Sequence, residues 1–213
     1  MSISPSEKIK VTIDGHVAVV TIDNPAANTW DVESLPALKA VVEALNADRN
    51  IYALVLTGAG EKFFSAGADL TLFADGDPAV AEEMAHAFGS AFETLADFRG
   101  VSIAAINGFA MGGGLEVALA CDIRIAETQA QMALPEAKVG LLPCAGGTQR
   151  LAQLVGDGWA KRMILVGERI GAEKAQQLGL VEEVVPTGEA LATAKALAEQ
   201  VGNQSPVAVA ACK

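Results

Sequence analysis

The sequence predicts an α/β fold on three observations. Short β-branched runs alternate along the chain with longer segments whose apolar residues fall at helical spacing. A unit of buried strand, glycine turn and small-residue helix start occurs twice, over residues 51–70 and 101–116. Apolar residues make up 51% of the chain but aromatics only 5%, a mixture suited to close helix–sheet packing and tight turns.

The elements follow in order. Residues 9–13 alternate, Asp14-Gly15 is a hairpin signal, and residues 16–22 return as a valine-rich strand ended by Asn24-Pro25. The spacing of Val32, Leu35, Leu38, Val41, Val42 and Leu45 predicts a helix over 30–47. Residues 51–56 read as a buried strand stopped by Gly58 and Gly60. A long amphipathic helix follows over 78–98, then a second buried strand over 101–106 and an Asn107-Gly108 turn. Residues 115–120 are helical and apolar almost all round, and 123–126 form a strand. Helices are predicted over 148–155, 159–166 and 172–178. A strand over 181–185 is closed by Pro186, and an alanine-rich helix covers 189–201. No linker or low-complexity tract interrupts the 213 residues, so they read as a single domain.

Charge narrows the function. Fifteen basic against 26 acidic residues give a net charge of −11, without the broad basic face that nucleic acid or an anionic membrane surface requires. The apolar stretch 101–120 does not read as a membrane span, because Asn107, three consecutive glycines and Glu116 interrupt it. Cys121, Cys144 and Cys212 are odd in number and widely spaced, which fits reduced thiols in a cytoplasmic protein. With only His16 and His86 beside them, no metal-ligand spacing is present. The N-terminus carries no apolar targeting segment.

The two recurring units each deliver small residues into a helix start, at Gly67-Ala68 and at Gly112-Gly113-Gly114. Helix starts leave backbone N–H groups unpaired at the positive end of the dipole. Two such places can make an oxyanion hole from main-chain donors, although the same glycines also serve as plain turn residues. Glu116 sits among Leu115, Val117, Ala118 and Leu119, where a carboxylate is costly. It is either an acid paired with a distant base or a general acid–base with a raised pKa. Glu136 follows Pro135, a helix-start pattern in which an acid favours the dipole. Should the two acids share one apolar cavity, their protonation states would be pushed apart. Other chemistries fail: Gly58-Ala59-Gly60 lacks the third glycine of a dinucleotide fingerprint, and Phe64-Ser65-Ala66-Gly67 lacks the first glycine of a nucleophile elbow. His16 and His86 read as surface residues, and no cysteine has an activating partner.

These residues carry a resemblance. Asn24-Pro25-Ala26-Ala27-Asn28, Phe64-Ser65-Ala66-Gly67-Ala68-Asp69-Leu70, the run from Ala105 through Glu116, Leu134-Pro135-Glu136, and Gly140 to Leu151 together resemble the crotonase (enoyl-CoA hydratase/isomerase) superfamily, and enoyl-CoA hydratases most closely. The likeness spans nearly the whole chain and implies a crotonase-like spiral of ββα units. It implies an acyl-coenzyme A thioester as substrate, with coenzyme A part of that substrate and no separate cofactor. It implies a homotrimer or a dimer of trimers. By position, the Ala68 and Gly113 N–H groups would form the oxyanion hole, and Glu116 and Glu136 match the two hydratase glutamates. Ala27, Ala66, Asp69, Leu70, Gly112 and Pro135 would line the substrate path. Lys62 is placed as a phosphate neighbour or, equally, a solvated surface lysine.

The implied activity is hydration of a 2-enoyl-CoA, with Glu116 taking a proton from water and Glu136 delivering one to the α-carbon. The alternatives are an enoyl-CoA isomerase, which needs one acid–base group, and a non-catalytic acyl-CoA-binding protein. Two departures bear on them. Thr71 stands where many hydratases carry lysine, and the chain ends at Cys212-Lys213, so the family's C-terminal helical region is expected to be largely absent. Trp30, Phe73, Phe88 and Phe92 are candidates for shaping the acyl pocket, or else plain core.

Overall fold

The computed structural model describes residues 3–213. Its main sheet has six strands in the order β1-β2-β3-β5-β7-β10: Ile9–Asp14, Val17–Ile22, Ala53–Gly58, Val101–Ile106, Ile123–Glu127 and Glu183–Val185. Only the β1–β2 hairpin is antiparallel; the other neighbours run parallel. A second sheet, β4-β6-β8-β9, is built from Phe63–Ser65, Phe109–Met111, Gln131–Ala133 and Ile170–Gly171.

The helices are α1 (Ser34–Ala47), α2 (Pro78–Ala96), α3 (Gly113–Ala120), α4 (Gly147–Leu165), α5 (Ala172–Gln177), α6 (Ala190–Val201) and α7 (Pro206–Cys212). Three successive units therefore share one plan. Each sends one strand to the main sheet (β3, β5, β7) and the next to the small sheet (β4, β6, β8). Each then enters a helix or a single 3₁₀ turn. This is the expected spiral of ββα units.

The inner strands β2, β3, β5 and β7 of the main sheet are buried on both faces, with successive residues pointing to opposite sides. Ala18, Val20, Leu54, Leu56, Ala104 and Ile106 point into the large core with α1, α2 and α3. Val17, Val19, Val55, Ile103, Ala105 and Ile125 point the other way. There α6 covers them through Ala190, Ala194 and Ala198, an i, i+4, i+8 stripe of small residues that lets helix and sheet approach closely.

Two expectations are corrected and a third holds. The helix expected from residue 30 begins at Ser34, because Trp30 instead bridges Ala68 as an isolated parallel pair. The turn between them is set by Asp31, whose carboxylate accepts from the Glu33 and Ser34 N–H groups and the Ser34 hydroxyl. The strand expected over 181–185 is shorter, Glu183–Val185. The pair of helices expected over 148–166 is present: Gly147–Leu165 is helical on either side of Gly156, whose non-helical backbone at φ +75° separates the two runs. The strands β4, β6 and β8, three residues each, are additions that the sequence pattern does not announce.

Candidate active site

The small sheet sets the geometry. Ser65 of β4 pairs with Ala110 of β6, after a local register shift, and Ala110 pairs with Met132 of β8. Ala68 and Gly113 each lie three residues beyond one such pair, so parallel neighbours place them side by side. Gly67 tightens the approach. Its φ is +91°, and a Cβ there would lie 2.6 Å from the Met111 carbonyl oxygen and 3.2 Å from the Gly113 nitrogen. Neither the Ala68 nor the Gly113 N–H finds an acceptor among the described residues, whereas the flanking Asp69 N–H donates to the Trp30 carbonyl at 2.9 Å. Gly113 opens α3, so its N–H also carries the helix's positive end.

Ala68 and Gly113 both line a cavity of about 750 Å³. Ala66, Asp69, Leu70, Gly112 and Pro135 line it, with Glu116 and Glu136. Ala27 and Lys62 do not. The Ala27 carbonyl accepts from the Ala66 N–H at 2.9 Å, and the Lys62 ammonium lies 5.2 Å from the Phe63 ring centre. Of the four aromatic candidates, Phe73 and Phe88 line the cavity, while Trp30 and Phe92 pack edge to face in the core at 5.5 Å. Lys138 also lines the cavity and donates to the Gly167 carbonyl at 3.0 Å.

Glu116 is 2% exposed, on α3. Its partner is not a base. Arg124, the nearest cation in sequence, is committed to Glu182 at 2.6 Å. Instead, Glu116 Oε1 accepts from the Ala145 N–H at 2.8 Å and the Gly147 N–H at 2.9 Å. Burial raises its pKa, and the two N–H groups and the Arg150 charge offset that only in part.

Glu136 opens the 3₁₀ turn Glu136–Val139, with Pro135 at its cap. Its two carboxyl oxygens are buried and unpartnered among the described residues. Burial, reinforced by the Glu116 charge, pushes it up to about 7. Two carboxyl groups thus line one cavity in different environments. One is held by N–H donors that favour the carboxylate; the other is poised to keep its proton near neutrality. Cys144 lines the same wall as an exposed residue, and partial desolvation beside the two acids raises its thiol pKa.

The sequence model of the family described as enoyl-CoA hydratase/isomerase matches residues 12–213. The chain belongs to this family. It is 41% identical, over 92% of its length and 76% of the relative's, to the short-chain-enoyl-CoA hydratase of Clostridium acetobutylicum. It is 38% identical, over 98% of its length and 79% of the relative's, to the carnitinyl-CoA dehydratase of Escherichia coli K12. The solved structure of Pseudomonas aeruginosa DspI superposes with a TM-score of 0.96 at 66% identity, over 98% of this chain and 85% of that one.

Within this enoyl-CoA hydratase/isomerase chain, the segment 144–147 is the part of the site that sequence reasoning missed. Its contribution is main-chain N–H, which no residue type announces. The signal available was Gly146-Gly147 immediately before a helix. Among the described residues, no helix is long and apolar enough to cross a membrane.

Proposed function

We propose that this chain is an enoyl-CoA hydratase that adds water across the 2,3 double bond of a 2-enoyl-CoA thioester. The observation that carries the reading is the pair of differently held acids, Glu116 and Glu136, facing one apolar cavity beside two free main-chain donors. The Ala68 and Gly113 N–H groups would bind the thioester oxygen and stabilise its enolate character, making C3 electrophilic. Glu116, favoured as carboxylate by its two N–H partners, would take a proton from water as the water oxygen bonds to C3. Glu136, protonated near neutrality, would give its proton to C2. The product is a 3-hydroxyacyl-CoA, and one proton passing from Glu116 to Glu136 restores the starting state. The same steps reversed eliminate water. No cofactor is needed beyond the coenzyme A of the substrate, and the assembly proposed is a homotrimer or dimer of trimers.

The test is loss of the conjugated-thioester absorbance of crotonyl-CoA by wild type, Glu116→Gln and Glu136→Gln. Hydration by wild type with a collapse of at least about 10²-fold in both variants is expected. Retained turnover in either variant overturns the two-acid mechanism. Conversion of a 3-enoyl-CoA without water uptake would mark an isomerase instead.

A further inference from the structure

The Glu116 carboxylate depends on a short segment with no side-chain contact to it. Ala145 and Gly147 supply its two N–H donors, and Gly147 is the first residue of α4, so the positive end of that helix also faces the acid. The chain between these donors is held at two successive carbonyls, that of the Ala145–Gly146 peptide and that of the Gly146–Gly147 peptide. Arg150 Nη1 donates to the Ala145 carbonyl at 2.9 Å, while the Arg150 backbone N–H donates to the Gly146 carbonyl at 2.8 Å. Gly146 is shaped for this grip. Its φ is +94°, and a Cβ there would lie 2.2 Å from Arg150 Nη1. Among the described residues, Arg150 makes no ion pair with a carboxylate within 4.0 Å. Its guanidinium is thus spent on the loop.

We propose that Arg150 is a positioning residue for the general base: by clamping the Ala145–Gly146 peptide it holds both N–H donors on Glu116 Oε1 and sets the protonation state in which that carboxylate works. This deepens the hydratase reading and rests on it for the word base; the bracing of the Glu116 carboxylate stands apart from it. The charged or titratable groups around Glu116 are Arg150 on α4, Glu136 on its 3₁₀ turn and Cys144 in the adjoining loop. Of these, only Arg150 is a cation. A guanidinium holds a carbonyl with planar, directional donors, which a lysine ammonium reproduces in charge but not in geometry.

The experiment compares wild type, Arg150→Met and Arg150→Lys by two readouts. One is the pH profile of crotonyl-CoA hydration. The other is the carboxyl ¹³C titration of Glu116 in glutamate-labelled protein, assigned with Glu116→Gln, which needs no turnover.

Arg150→Met is expected to lower kcat about 10- to 100-fold with KM within about threefold, as for a displaced reacting group. The acidic limb and the Glu116 titration should move together to higher pH. Arg150→Lys should restore most of the titration shift and only part of kcat. A Glu116 titration unchanged in Arg150→Met overturns the proposal, as does a loss of kcat without movement of the acidic limb. A wild type that titrates as described but turns over no enoyl-CoA defeats the hydratase reading while leaving the bracing measured. Should Arg150→Met not fold, Arg150→Lys alone decides: wild-type kcat in it refutes the need for the planar grip.

Discussion

Replacing Gly67 by alanine should separate two costs that glycines usually hide together. Its φ of +91° is a region that L side chains avoid, at a cost of about 1–2 kcal/mol. The added Cβ also meets the Met111 carbonyl oxygen at 2.6 Å. Reaching an ordinary contact of 3.4 Å requires that carbonyl to retreat by about 0.8 Å. Met111 is paired with Ala133 in the β6–β8 ladder, and the Gly112 N–H donates to the Ala133 carbonyl at 2.9 Å, so the retreat strains the small sheet.

Overpacking of this kind costs about 1–3 kcal/mol, giving roughly 2–5 kcal/mol in all. For a chain of this size that corresponds to a drop in Tm of roughly 4–20 °C. Gly76→Ala is the matched control, because Gly76 has φ +67° but an added Cβ there would meet nothing within 4 Å. It should lose only the conformational part, about 1–2 kcal/mol. Differential scanning calorimetry reads both, and hydration of crotonyl-CoA reads the site. Ala68 and Gly113 are the proposed oxyanion donors, so spreading them should make Gly67→Ala also lose about 10²–10³ in kcat, whereas Gly76→Ala should not. Equal Tm values and equal kcat for the two variants would refute the close-approach argument.

Two further outcomes concern pH. Glu136 is raised from 4.5 to about 7, so the folded state binds the extra proton between those values, and stability should fall as pH rises through that window. Glu136→Gln removes the penalty and should stabilise the protein by about 2–3 kcal/mol at pH 8 but hardly at pH 4, which urea titrations at the two pH values will show. Asp31 behaves oppositely. Burial acts against its ionised form, but the Lys8 ammonium and the Ser34 and Glu33 donors outweigh it and lower the carboxyl to about 2. Its contribution is complete above the ordinary value of 3.8 and is lost as pH falls through about 2. Asp31→Asn should cost about 1–2 kcal/mol at pH 7, allowing for partial solvent screening, and nothing measurable at pH 1.5 in the same titration.

How much of this was readable in the sequence depends on what carried each feature. The inner main-sheet strands were readable because both their faces are buried, so β3 and β5 appear as nearly continuous apolar runs. The three-residue strands were not, since three residues hold no period, and Phe63–Ser65 is held as a strand by pairing with Phe109–Met111 46 positions later in the chain, counting from Phe63 to Phe109. Trp30 has the right spacing to begin α1, but its backbone is claimed by Gly67 and Asp69, with the Trp30 N–H donating to the Gly67 carbonyl at 2.8 Å. Glu116 was conspicuous as an acid in an apolar helix. Its partners were invisible because they are backbone groups. Glu136 looked like a dipole-stabilising acid at a helix start, and only the fold puts it against the same cavity as Glu116.

The location of the site follows from the repeat itself. Each ββα unit ends its small-sheet strand and must turn into a helix or a 3₁₀ turn, and such starts expose N–H groups or begin with residues that tolerate them. Because β4, β6 and β8 run parallel and adjacent, the three turns emerge on one edge. Residues 68, 113 and 136 are therefore neighbours by topology, one from each unit. The fourth contributor, Glu116, lies three residues beyond Gly113, just under one helical turn, so the helix that offers a donor also carries an acid into the same cavity. What the repeat does not supply is a partner for that acid, and the segment Ala145–Gly147 at the start of α4 provides it. The chemistry is thereby divided: repetition of the fold aligns the donors, while one non-repeated loop, clamped by Arg150, governs the charge of the acid beside them.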